Sequence, residues 1–257
     1  MNLDKLHDYL WPDHVTHYRL HISLYLTRKS LNLFRLACFL LYFIPSTIYT
    51  WSIGGLPFIE HFFFFTNWGQ VGCMIYFALA FYSELKTDPK NPPKHGKLWK
   101  ITHILFESCF AMEFTIALFF WAILAAPYFD SIKDEPDFGV LIFKNVLLHA
   151  VTPLTMWIEI AVNYIDFHWR HAYVFIPSVF IAYSMLNALG VLALDVPIYQ
   201  PVIDWKSFKT PLLLSIGLVL GFVGFAVGWW VHKIKERKLG VPNLKIFLEE
   251  DLDAADI

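Results

Sequence analysis

The sequence predicts an all-α membrane protein of six transmembrane helices, with both termini on the same, positively charged side. Three observations predict it. Of 257 residues, 57% are hydrophobic and 16% charged, against roughly 25% charged in soluble domains. Six apolar runs, at about 31–51, 61–83, 101–127, 139–164, 172–195 and 211–232, are each long enough to cross roughly 30 Å of hydrocarbon at about 1.5 Å per residue. The cations are also segregated. The amino-terminal segment, the loops after the second and fourth runs and the carboxyl tail hold 15 of the 20 Lys and Arg. The opposite loops hold 3, Lys133, Lys206 and Lys209, while Arg35 and Lys144 sit at span edges. Cationic loops stay on the cytoplasmic side or its equivalent, which fixes the orientation.

The chain divides into an arm over 1–30, a six-helix domain over 31–232 and a charged tail over 233–257. In the arm, Tyr18, Leu20, Ile22, Leu24 and Leu26 alternate with Arg19, His21, Ser23 and Tyr25. This period of two suits a half-buried strand, and a lone strand needs a partner. The arm is therefore read as an interfacial segment or as an edge that docks on another protein. On a helix His14, His17 and His21 would share a face, but a metal cluster there is the weaker reading. The tail over 249–256 is acidic and expected to be solvated. No small-residue cleavage pattern follows the first apolar run, so no cleavable signal peptide is expected. A net charge of −2 gives no case for nucleic acid. Cys38, Cys73 and Cys109 form no CxxC and lie in apolar runs, so neither a disulfide framework nor a zinc site is expected from them.

Ionisable and polar groups in hydrocarbon mark function or buried contacts. In the fourth run Asn145, His149, Thr152, Met156, Glu159 and Asn163 recur at helical spacing and form one stripe that must face protein or a water-filled cavity. Pro153 has no N–H and its ring clashes with the carbonyl of His149, predicting a kink and a freed acceptor beside that histidine. The second run begins with His61, four phenylalanines, Thr66 and Asn67. Both runs start on the low-lysine side, which puts Thr66 at a depth of about 8 Å and His149 at about 15 Å, so the two are candidate neighbours. A threonine beside a neutral imidazole is a nucleophile and general base. The competing reading is a threonine back-bonded to its own helix and a packing histidine. In the third run His103 and Glu107 share a face and Glu113 lies on another; the carboxylates suit a proton path or pairs with Lys144 or Arg35. His103 and His149 fall in opposite halves of the membrane, which counts against a shared haem.

The order of these features resembles the androgen-induced and rolling stone family of six-span membrane proteins, which includes intramembrane threonine hydrolases of fatty acid esters of hydroxy fatty acids. The resemblance rests on Phe64-Phe65-Thr66-Asn67-Trp68, on Asn145-Val146-Leu147-Leu148-His149, on Trp169-Arg170-His171 and on the stretch over 199–205. It implies that Thr66 is the nucleophile and His149 the base. Val146 stands where the family has a first histidine and Ala150 where it has a threonine, and the amino-terminal arm and long lysine-rich loop have no family counterpart.

Two functions follow. One is an intramembrane lipid ester hydrolase without cofactor or metal, in which Thr66 attacks, His149 carries the proton and Asn67 or Asn145 supports the oxyanion. Its partners are membrane lipids, and the resemblance implies an endoplasmic reticulum or plasma membrane location. The other is a non-catalytic accessory subunit of a larger membrane complex, such as a mitochondrial inner-membrane respiratory assembly, joined to other subunits through the arm. A transporter reading finds no inverted repeat or broken-helix pair to support it.

Overall fold

The computed structural model describes residues 9–11, 17–48, 58–86, 97–193, 205 and 208–239. These form six long helical segments: α1 Arg28–Ile48, α2 Phe65–Lys86, α3 Lys97–Ile132, α4 Phe138–Val162, α5 Trp169–Ala193 and α6 Lys209–Leu239. Among the described residues there is no strand, and four helices, α3 to α6, are long and apolar enough to cross a membrane. Helices α1 and α2 have 21 and 22 residues. Short 3-10 turns, His17–Leu20 and Phe58–Phe63, precede them.

Local chemistry starts the helices where they start. Thr27 caps α1, its Oγ1 accepting from the Ser30 N–H at 3.2 Å, as a capping threonine does. At the head of α2, Asn67 Nδ2 donates to the His61 carbonyl and Trp68 Nε1 to that of Phe62, each at 2.7 Å. These bonds tie the 3-10 turn to the helix that carries Thr66. Helix α3 runs through the middle, packed against α2, α4, α5 and α6, with α1 outside α2. Its core meets Tyr76, Phe77, Phe106, Phe110, Met156 and Phe225. Large apolar side chains such as Leu40, Ile44, Ile181, Leu189 and Val219 point outward, as lipid-facing positions do.

The arm differs from the strand its alternation predicts. Leu20, His21 and Ile22 are buried, but pairing is reduced to one antiparallel bridge between Ser23 and Asn163. The reason is its partner: a helix end offers a strand only its last carbonyls. Leu24 N–H and Ser23 Oγ both donate to the Val162 carbonyl, at 3.1 and 2.6 Å. Lys235 Nζ of α6 donates to the Asn163 carbonyl at 2.7 Å. The orphan carbonyls at the end of α4 are thus satisfied by the two ends of the described chain. The connector 163–168 is buried almost throughout. The tail over 249–256, His14 and residues 199–204 lie outside the described residues.

Candidate active site in the membrane domain

The polar stripe of α4 faces protein along its whole length: Asn145, His149, Thr152, Met156, Glu159 and Asn163 are all buried. It serves two separate places. At the arm end, Glu159 receives Arg35 through Nε at 3.0 Å and Nη2 at 2.7 Å, Tyr76 Oη at 2.5 Å and Asn163 Nδ2 at 3.2 Å, all on Oε1. Arg35 Nη1 donates to the Leu20 carbonyl at 2.8 Å. Arg35 therefore pairs with Glu159 and not with Glu107 or Glu113. Of those two, Glu107 is held by His171, and Glu113 packs beside Gly69 with Oε2 lacking a partner.

At the other end, α4 widens to a π turn, Leu147–Val151, that carries His149. Across from it α3 makes a second π turn, Phe120–Leu124. Each precedes a proline, Pro153 and Pro127. A wide turn lets the chain pass the ring without the clash that proline makes with the carbonyl four residues back. The carbonyl that Pro153 leaves without its helical donor is that of His149, and Trp121 Nε1 donates to it at 2.9 Å. The freed acceptor expected beside the histidine is present and filled. The same pair of turns stacks the Phe120 ring on His149, with centroids 3.6 Å apart and planes 2° from parallel. His149 Nδ1 is buried without a hydrogen-bond partner.

His149 and Thr66 line one cavity of about 70 Å³, with Phe65, Thr115, Phe120, Phe180, Tyr183 and Leu213 among its other walls. Five helices contribute, so residues 83 positions apart line one cavity because α2 begins where α4 widens. Thr66 is the second residue of α2, at the positive end of that helix dipole. Asn67 and Asn145 are not among the lining residues. The amide of Asn67 is spent on the His61 carbonyl. That of Asn145 goes to Tyr128 Oη at 3.1 Å and to the Leu141 carbonyl at 2.8 Å. Trp205, the described residue of the stretch over 199–205, donates to Asn187 Oδ1 at 2.8 Å. Asn187 Nδ2 reaches Tyr183 Oη at 3.1 Å and the Phe63 carbonyl at 3.3 Å, bracing the head of α2 against α5.

Three groups escaped the sequence reading. Phe120 gave no signal, because one phenylalanine among 25 looks like packing. The Arg35–Glu159 pair joins helices that only the fold brings together. His168 and His171 read as a polar loop, yet His171 is buried against Glu107 and His103. Compared with family models, with curated proteins and with solved structures, the chain has no match.

Proposed function

We propose that this protein is an intramembrane hydrolase of lipid esters, of the class of fatty acid esters of hydroxy fatty acids, with Thr66 as nucleophile and His149 as general base. One observation carries the reading: a threonine and a histidine from different helices stand at the wall of a single apolar cavity. Thr66 Oγ1 attacks the ester carbonyl carbon while His149 takes its proton. The tetrahedral intermediate collapses, the C–O bond to the alcohol breaks, and His149 returns the proton to the leaving oxygen. Water then attacks the acyl-threonine with His149 again as base, releasing the fatty acid and restoring Thr66. Asn67 and Asn145 spend their amides elsewhere, so the positive end of the α2 dipole is the better support for the oxyanion. Among the described residues no carboxylate orients His149; the Phe120 stack holds the ring plane instead. The cavity takes the reacting ester group and a short length of acyl chain, with the rest of the lipid lying between helices.

The reading includes six spans with both chain ends on the lysine-rich side. It is supported by the lengths of α1 and α2 and by Arg19 of the arm lying 3.5 Å from Glu236 near the end of α6. The test is labelling of the purified protein by a fluorophosphonate probe beside Thr66→Ala and His149→Ala, each variant checked by thermal melting. Labelling of wild type and at least a tenfold loss in both folded variants is expected. Absence of labelling in folded wild type would overturn the enzyme and leave the non-catalytic accessory subunit as the reading.

A further inference from the structure

Away from the cavity, beneath the arm, His103 and Glu107 of α3 meet His171 of α5. All three are buried, with one ligand-type atom from each lying within 4.8 Å of the others. Their arrangement is unlike a simple ion pair. His171 Nδ1 is 2.5 Å from Glu107 Oε2, while its Nε2 is 2.8 Å from the Leu10 carbonyl. Both ring nitrogens thus face acceptors, Nδ1 the Glu107 carboxylate and Nε2 the Leu10 carbonyl; a metal replacing the Nδ1 proton would leave Nε2–H on the carbonyl, the orientation that metal-ligating histidines adopt. His103 Nε2, 3.5 Å from Glu107 Oε1, is buried and makes no hydrogen bond. His168 stands beside the group, outside the three whose ligand atoms lie together: its ring centroid is 5.4 Å from both His103 and His171, which are 5.6 Å from each other. Three imidazoles bound tetrahedrally at Zn–N distances of about 2.0–2.1 Å would have centroids about 5 Å apart.

From this geometry we infer that His103, Glu107 and His171, with His168 as the fourth group, form a structural zinc site that fastens α3, the head of α5 and the arm together. The ligand chemistry selects zinc or a similar divalent transition metal, since imidazole with one carboxylate suits zinc and not calcium or magnesium. Binding moves His171 Nδ1 and the Glu107 carboxylate apart from 2.5 Å to the roughly 3.3 Å that two ligands of a tetrahedral zinc require. Trp11 covers the group, its ring centroid 4.7 Å from His171 and 5.7 Å from His103. Metal is therefore taken up as the chain folds rather than through an open channel. The site stands apart from Thr66 and His149 and does not depend on what they do.

The test uses the full chain, expressed in zinc-depleted medium, purified in detergent and titrated with Zn²⁺ or Co²⁺. The expected result is uptake of about one metal per chain, with the visible bands of tetrahedral cobalt bleached by added zinc. His103→Ala and Glu107→Gln should each weaken uptake by tenfold or more, and zinc should raise the melting temperature of the wild type alone. Failure of wild type to take up either metal overturns the site and leaves a buried hydrogen-bonded cluster of histidines around a carboxylate. Uptake that is unchanged in a folded His103→Ala variant also overturns it, because the metal then binds elsewhere. Should the variants not fold, the wild-type cobalt spectrum decides: an octahedral, oxygen-type spectrum overturns the assignment.

Discussion

Arg35 is fully buried, and so is the carboxylate it meets. Removing one partner of such a pair strands the other charge in an apolar interior, which costs about 3–5 kcal/mol, whereas replacing both by apolar groups is often neutral. Arg35→Met is therefore expected to destabilise the protein by about that amount, and Arg35→Met combined with Glu159→Met to recover most of it. Denaturant or thermal unfolding in one detergent measures both. A double variant no more stable than the single one would mean that the Tyr76, Asn163 and Leu20 contacts, and not the charge balance, hold this corner. The candidate catalytic residues show how far single positions can be read. That Thr66 and His149 line one cavity agrees with the similar depths that helical rise and a common starting side predict for them. The roles for Asn67 and Asn145 were inferred from residue type alone, and amide orientation depends on neighbours that spacing does not reveal.

The helices touch where side chains are missing. On α6, Gly217, Gly221, Gly224 and Gly228 lie at helical spacing, and rings fill the space above them. Phe180 would lie 3.0 Å from a Cβ at either of the first two, and Phe114 the same distance from one at Gly224. At Gly228 a Cβ would stand 2.5 Å from Phe167 Cζ, on the buried connector. Gly139, at the head of α4, faces nothing within 4 Å. Gly228→Ala is thus expected to lower stability by about 1–3 kcal/mol through overpacking. Gly139→Ala should be neutral or stabilising by up to about 1 kcal/mol, through helix propensity. Melting temperatures of the two variants, measured side by side, check the contrast; equal effects would mean that Phe167 has room to move. The six apolar runs follow directly from length and hydropathy, and the polar stripe of α4 from its period. The π turns could not be read in the same way. A proline announces a kink, but whether the freed carbonyl is met by a wide turn, water or an indole depends on the opposing helix. The strand expected in the arm is absent from the described residues for a related reason. Its alternation records burial of Leu20 and Ile22, which a single bridge and a 3-10 turn achieve without a sheet.

Over the whole molecule, the arm is fastened to the bundle at one end by groups that titrate. His21 Nδ1 pairs with Glu84, and Arg28 Nε with the same carboxylate. Arg19 pairs with Asp166 and lies near Glu236. Burial pushes His21 below its ordinary 6.5, the bond to Glu84 only partly opposing it. Burial would raise Glu84, but His21 and Arg28 outweigh it and hold the carboxyl below its ordinary 4.5. Both directions have the same sign for stability. A docked arm that favours neutral His21 keeps that contribution above pH 6.5 and loses it as the pH falls, since the released histidine binds the extra proton. The ionised Glu84 contributes above pH 4.5 and its share is lost below that. The arm is therefore expected to loosen in two stages on acidification, first below about pH 6.5 and further below about 4.5. Tyr25 is exposed beside these contacts, and a spin label at Tyr25→Cys reports on them while Cys38, Cys73 and Cys109 are buried. Label mobility should be flat from pH 8 to about 6.5, then rise several-fold by about pH 4. Glu84→Gln should raise it already at pH 8, because Arg28 and His21 lose their common partner. Mobility that stays flat to pH 4 in the wild type would show that apolar burial of Leu20 and Ile22 alone holds the arm, and that the ion pairs only decorate the contact.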